Sequence, residues 1–304
     1  MRISVNRASE FFNISPKCVF TSEFDEKCVE TYTENFLDEK IYGDITKLKD
    51  KDIKQTIPKH HLLLAGFPCQ PFSLAGHKLG FKDTRGTLFH DIYRIIKVTH
   101  PDLILLENVK NLKSHDNGKT LKVIMTLLNE YYYMPEPAVL NARNFGLPQN
   151  RERIFIVGFK KKKRKKEFIY SVGHNKPTCI KDALEKNVGE EYTISNRLWD
   201  GHQKRKIKNK KNGRGFGYKL HKPNDPYTRT ISARYYKDGS DALIYQDNSN
   251  PRKLTPRECA NLQGFPRNFK INKSKKNAYK QFGNSVPINV VEALLKSMIK
   301  YYYF

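Results

Sequence analysis

The sequence predicts an α/β protein: a parallel sheet covered by helices, joined to a smaller and mostly β unit. Over the first 160 residues, short apolar runs alternate with helix-like stretches, the pattern of a parallel α/β sheet. After Phe159 the chain turns polar and rich in Gly, Asn, Lys and Tyr, and it tightens again only near Thr255. Of the 304 residues, 38% are hydrophobic, enough to support a core in one large domain or in a main domain with a smaller partner.

In chain order, CVF (18–20), HLLLAGF (61–67), LILLEN (103–108) and RIFIVGF (153–159) read as buried strands. Strands covered by helices on both faces look continuously apolar. Between them, Leu88, Ile92, Ile95 and Ile96 fall on one side of a helix that ends at His100-Pro101. The seven-cation run KKKKRKK (160–166) reads as a solvated loop, with a phosphate-binding strip as the alternative. Residues 170–250 read as irregular, mostly β structure. Within them KRKIKNKKNGRGFGYK (204–219) mixes cations, glycines and aromatics, which suits a loop against a nucleic-acid backbone. TPRECANLQGFP (255–266) carries a full set of helix signals. Thr255 caps, Pro256 takes the first position, Glu258 completes a capping box and Gly264 closes the helix. NVVEALLKSMIK (289–300) is an amphipathic helix that returns to the sheet, and no internal repeat is present.

Charge and cysteine usage narrow the class. With 56 Lys+Arg against 31 Asp+Glu the net charge is +25, which points to a polyanion, most simply nucleic acid; a lysine-rich compositional bias is the bland alternative. No apolar run approaches the roughly 20 residues of a membrane span, and the N-terminus has no apolar signal core. Five cysteines without a CxxC pair argue against a disulfide framework or a cysteine-rich zinc site, so a cytoplasmic protein without a metal is expected.

Three polar groups stand at the carboxyl ends of expected strands, where open α/β sheets bind ligands: Glu23, Cys69 and Glu107. Pro68 and Pro71 stiffen the loop around Cys69 and hold its sulfur in place. A lone cysteine is more often a small buried hydrophobe, the reading given to Cys18, Cys28 and Cys259, with Cys179 left open.

Four segments together resemble the DNA cytosine-5 methyltransferases: GFPCQPFS (66–73), ENVKNL (107–112), QNRERIFIVGF (149–159) and KQFGNSVPINVV (280–291). The resemblance covers nearly the whole chain and is weakest over 160–210. It implies a Rossmann-like, S-adenosylmethionine-dependent methyltransferase domain with a smaller, mostly β target-recognition domain. The implied division is a catalytic, cofactor-binding domain over 1–178, target recognition over 179–254, a hinge over 255–283, and a return to the catalytic domain over 284–304. Cys69 would add to carbon 6 of a flipped cytosine, Glu107 would hold ring nitrogen 3 and the exocyclic amine, Arg153 would contact the base, and Arg151 would support it. Glu23 would bind the ribose hydroxyls and Phe24 the adenine, with Asp44 and Ile45 at its edge and Pro68, Leu88 and Asn284 at cofactor-side or loop-supporting positions.

Thr228 to Ile244 resembles the recognition segment of enzymes acting on CCGG, CCNGG or CC(A/T)GG. It carries Arg229, Thr230, Ile231, Arg234 and Gly239 as DNA-binding positions. The family's opening F-x-G-x-G pattern does not occur in these 304 residues; Met1-Arg2 align just after it, so the first strand and Gly-rich loop are expected to be missing. The implied partner is double-stranded DNA bound by a monomer, alongside a restriction endonuclease. An RNA cytosine methyltransferase and a DNA-binding derivative with impaired catalysis are the alternatives.

Overall fold

The computed structural model describes residues 1–36, 40–69, 87–161, 167–215 and 217–304. Pro71, the rest of the GFPCQPFS stretch after Cys69, and positions 162–166 of the basic run therefore lie outside the described residues.

Helix α1 (Arg2–Phe11) leads to β1 (Thr21–Ser22), α2 (Glu26–Asn35) and β2 (Ile41–Tyr42), and β1 and β2 pair in parallel. The expected strand at 18–20 begins only at Thr21, since only Thr21 and Ser22 find partners, Ile41 and Tyr42. Then come α3 (Asp50–Thr56), β3 (Leu62–Gly66), α4 (Leu88–Thr99), β4 (Leu103–Val109) and α5 (Lys119–Asn129). Thr87 caps α4 through the His90 N–H, and His100 ends it in the left-handed region at φ 45°. Phe89, Ile92, Tyr93, Ile95 and Ile96 are the buried face of α4, and Leu88 is half-buried.

The chain continues through β5 (Tyr132–Tyr133), β6 (Ala138–Asn141), β7 (Gln149–Asn150) and β8 (Glu152–Lys160). The main sheet runs β3-β4-β8-β5, with β6 also on β8. Only β3 and β4 run parallel in it; β8 is antiparallel to β4, β5 and β6. The sheet is therefore mixed rather than parallel. Two cores cover its faces. Ile92, Ile96, Leu106, Ile124 and Leu128 fill one. Leu105, Phe155, Val157 and the returning C-terminal helix fill the other.

The polar third of the chain contains more helix than its composition suggested. Helix α6 (Asn196–Lys211) spans 16 residues, followed by β9 (Leu220–His221), β10 (Thr228–Arg229), α7 (Tyr235–Asp238), β11 (Leu243–Ile244) and β12 (Arg252–Lys253). The stretch read as a loop over 204–219 is thus helical to Lys211. Unbranched Lys, Arg and Gln side chains favour helix, Ser195 caps it, and Gly213 at φ 65° follows its end. The strands here have two residues each; three form a small sheet in the order β12-β11-β9, and β10 pairs in parallel with β7. Helices α8 (Pro256–Leu262), α9 (Lys275–Asn284) and α10 (Ile288–Tyr303) complete the chain.

Helix α8 has the cap its sequence announced: Thr255 accepts from the Glu258 N–H, and the Glu258 carboxylate accepts from the Thr255 N–H at 2.8 Å. Gly264 follows at φ 80°. Helix α10 packs on the sheet beside α1, where Ser4 donates to the Ile288 carbonyl at 3.0 Å. A third core joins Ile180, Ile231, Tyr235, Ile244, Leu262 and Phe282. Of the cysteines expected to be buried, Cys259 is; Cys18 and Cys28 are only half-buried, beside a two-stranded sheet too small to cover them.

Within this third region Arg252 and Glu258 form a buried bidentate pair, both N···O distances 2.8 Å. Glu258 also accepts from the Glu185 backbone at 3.0 Å, so one carboxylate joins β12, α8 and the 180s segment. Removing one partner of such a pair strands the other charge in low dielectric. Arg252→Met is expected to destabilise the protein by about 3–5 kcal/mol, read as a lower midpoint in urea unfolding. A midpoint within error of the wild type would show that the pair carries no such weight.

Candidate active site

The site forms where β3, β4 and β8 end together. Gly66, last residue of β3, is in register with Glu107 of β4, and the Phe67 N–H donates to the Glu107 carbonyl at 3.3 Å. The chain then leaves the sheet through Pro68, which is exposed, to Cys69, which is half-buried. Cys69 lines a small crevice with Phe67, Thr87, Phe89, Leu112 and Ile124.

On the far side, Arg153 of β8 is paired with Val109 of β4. Residues two apart on a strand share a face, so Arg153 and Glu107 lie on the same side of the sheet. Arg153 Nε meets Glu107 Oε1 at 3.1 Å, and both side chains are mostly buried. Burial pushes the Glu107 carboxyl up from its ordinary value, and the charges of Arg153 and Arg151 only partly offset it. Burial likewise raises the Cys69 thiol.

Arg151 behaves differently from Arg153. It is 1% exposed, and its guanidinium donates to the carbonyls of Ile231 (2.9 Å), Gly283 (2.8 Å) and Ser285 (2.7 Å). Burial and the neighbouring Arg153 charge push it down from its ordinary value, but a guanidinium keeps its proton at neutral pH. It is a positioning residue rather than a group that faces Cys69.

Two further residues, to which the sequence alone assigns no role, join the clamp. Gln149 accepts from the Ile231 N–H at 3.2 Å and donates to the Leu262 carbonyl at 3.1 Å. A Cβ on Gly283 would lie 2.3 Å from the Ala233 nitrogen, so only glycine lets α9 approach the 231–233 segment this closely. Both residues fall inside quoted motifs, but sequence offers no sign of their partners.

Of the cofactor-side expectations, Glu23, Phe24, Asp44 and Ile45 follow the two paired strands β1 and β2. The Glu23 N–H donates to the Tyr42 carbonyl at 2.9 Å, which sets the ends of parallel β1 and β2 side by side. Glu23 Oε1 accepts from the N–H groups of Phe24 and Asp25, each at 2.9 Å. The Phe24 ring is 72% exposed, and Asp44 caps the turn Ile45–Lys47 through the Thr46 N–H. Two acids and an exposed aromatic ring are the kinds of group that would fit an adenosine, one acid for the diol, the ring for the base and the other acid for the amine. Leu88 packs partly against the core beneath Phe67 and Phe89, while Asn284 is exposed at the end of α9.

The recognition segment divides. Arg229 and Arg234 are exposed, and Thr230, half-buried, donates to the Asn150 carbonyl at 2.6 Å. Ile231 is fully buried in the third core, so its side chain does not reach DNA. Gly239 is also buried: it ends α7 at φ 67°, and a Cβ there would come 2.5 Å from Lys253 Cγ. Both side-chain positions are packed inside the protein, so any DNA contact by these two residues would run through their backbone.

Comparison with known proteins decides the family. The family model C-5 cytosine-specific DNA methylase matches residues 2–300. The chain belongs to that family. The methylase is 54% identical over 286 residues to Type II methyltransferase M1.ScrFI of Lactococcus lactis subsp. cremoris, covering 93% of this chain and 72% of the relative. It is 51% identical over 292 residues to Type II methyltransferase M.DsaV of Dactylococcopsis salina, covering 96% and 82%. Among solved structures, S. pombe Dnmt2 methyltransferase superposes with a TM-score of 0.76 over 99% of this chain and 96% of that one, at 22% identity. That likeness shows the Rossmann-like methyltransferase fold. Among the described residues the methylase has no helix long and apolar enough to cross a membrane, and no His/Cys/Asp/Glu cluster suited to a metal.

The raised Cys69 thiol makes a specific demand on pH. Because thiolate is the reactive form, alkylation of Cys69 by iodoacetamide should climb by about tenfold per pH unit from 7 to 8.5 without levelling. Peptide mass spectrometry reads this site by site. A plateau already below pH 8 would mean that the free site activates its thiol.

Proposed function

We propose that the methylase transfers a methyl group from S-adenosylmethionine to carbon 5 of a cytosine flipped out of duplex DNA. The observation that carries this reading is the buried Glu107–Arg153 pair, set in register with Gly66 at the end of the strand that leads into Cys69. Carbon 5 of an aromatic cytosine is too weak a nucleophile to be methylated directly. In the proposed reaction the Cys69 thiolate bonds to carbon 6, and the electron pair of the 5,6 double bond shifts to make carbon 5 nucleophilic. Glu107, which burial keeps protonated to higher pH, donates to ring nitrogen 3 as negative charge builds there. Arg153 holds the Glu107 carboxyl in place and faces the base. Loss of the carbon 5 proton to solvent and departure of the thiolate then restore the ring.

Glu23, Phe24, Asp44 and Ile45 would hold the adenosine of S-adenosylmethionine, with Pro68, Leu88 and Asn284 around it. When bound, the cofactor supplies an electrophilic methyl group. Carbon 5 in a stacked duplex is out of reach, so the base has to leave the helix. Arg229, Thr230 and Arg234 are assigned to DNA contact within Thr228–Ile244, at a CCGG- or CCNGG-like site. The division into 1–178, 179–254, 255–283 and 284–304 is kept as part of the proposal. It is supported by one core joining residues from both ends of the chain and another confined to residues 180–282. Similarity to Type II methyltransferases supports a role beside a restriction endonuclease.

Labelled S-adenosylmethionine and DNA test the reaction. Label should enter cytosine, and none from a folded sample overturns the reading. A target with 5-fluorocytosine should trap a covalent complex that Cys69→Ser cannot form. Glu107→Gln preserves shape but removes the titrating proton, and should lower kcat by about 10²–10³. A loss below threefold would remove Glu107 from the chemistry.

A further inference from the structure

Helix α6 and the turn after it carry the densest charge among the described residues. Lys204 to Arg214 holds seven cations and no acid. All seven side chains are exposed, as is Ile207 at 58%. Lys204, Lys208 and Lys211 share one stripe of the helix, and Lys206 and Lys210 share another. Like charges at that spacing repel and weaken a helix, so the arrangement costs stability in the free protein. Only Arg205 pairs with an acid among the described residues, Asp238 at 3.2 Å. Lys206 lies over the Tyr218 ring, 4.4 Å from its centroid.

The opposite face fastens the helix to the recognition segment. His202 is buried, and its Nε2 lies 3.1 Å from the Asp238 carbonyl at the end of α7. Trp199 packs edge-on against Tyr218 at 4.7 Å. One face is therefore anchored next to Thr228–Ile244 while the cations point outward. A solvated helix needs no such acid-free display, whereas a polyanion relieves its repulsion. The eight helical residues from 204 to 211 span about 12 Å, alongside roughly seven phosphate charges of a duplex.

We infer that the cationic face of α6 is a second DNA contact, which grips backbone phosphates regardless of sequence next to the segment that reads bases. The inference rests on the reading of the methylase as acting on duplex DNA. Phosphate contacts set affinity and its salt dependence, and carry no sequence information directly.

The test replaces Lys204, Lys208, Lys210 and Lys211 by Gln in the full chain. Kd is measured on duplexes with and without a CCNGG site, from 50 to 200 mM salt. Four lost phosphate contacts flatten the slope of log K against log salt by about 3.6, at roughly 0.9 each. Over that range wild-type affinity then falls roughly 150-fold further than the variant's. Both duplexes should weaken by the same factor, and the fourfold Lys→Arg variant should restore the wild-type slope. A slope unchanged in the Gln variant overturns the inference, as does a loss confined to the site-bearing duplex. Methyl transfer by the wild-type chain is measured separately: its absence overturns the proposed function, and the slope still decides the role of α6.

Discussion

A single buried guanidinium holds the active-site strand to the rest of the molecule. Among the described residues Arg151 has no carboxylate partner; three backbone carbonyls from two distant segments surround it instead. Burying a charge is costly unless its donors are satisfied, and these carbonyls satisfy most of them. They are usable only because Ile231, Gly283 and Ser285 are already brought together, so the charge and the segments that surround it require one another. Arg153, two residues further on and inside β8, is thereby left to face Glu107. The spacing of the two arginines thus separates holding the segments together from pairing with Glu107.

The same helix that supplies Gly283 also reaches the cofactor side. From α9, Lys280 meets Asp25 at 2.9 Å and Gln281 donates to the Lys27 carbonyl at 2.7 Å. Asp25 caps α2 immediately after Glu23 and Phe24, and the Lys280 ammonium holds its carboxyl below the ordinary range. Helix α9 therefore touches the cofactor-side loop, the Arg151 clamp and the 231–233 segment within ten residues.

The positions of β3, β4 and β8 were legible because short, continuous apolar runs set between helix signals are hard to place anywhere but in a covered sheet. Their direction was not: a strand covered on both faces carries no mark of parallel or antiparallel pairing, and β8 proved antiparallel. The α8 cap was legible in full because its partners lie three residues apart. Helix α6 was missed because a helix without an apolar stripe gives no periodic signal, and its lysines resemble a solvated loop. The burial of Ile231 and Gly239 was not legible, because burial is a property of distant neighbours. The Gln149 and Gly283 contacts join residues 82 and about 50 apart and were invisible for the same reason.

The protonation of the site follows from that burial. Cys69 and Glu107 both have raised pKa values for the same cause, desolvation of their charged forms. For a carboxyl this is useful in the proposed reaction, since a retained proton is what ring nitrogen 3 requires. For a thiol it is an obstacle, since addition needs the thiolate. In the proposed reaction the two effects would offset each other when the base arrives: donation from Glu107 would make the ring a better acceptor at carbon 6 and so draw thiol deprotonation and addition forward together. Burial that disfavours the charged form of both groups leaves the empty site with little reactive thiolate, and the proposed chemistry then depends on the base that completes it.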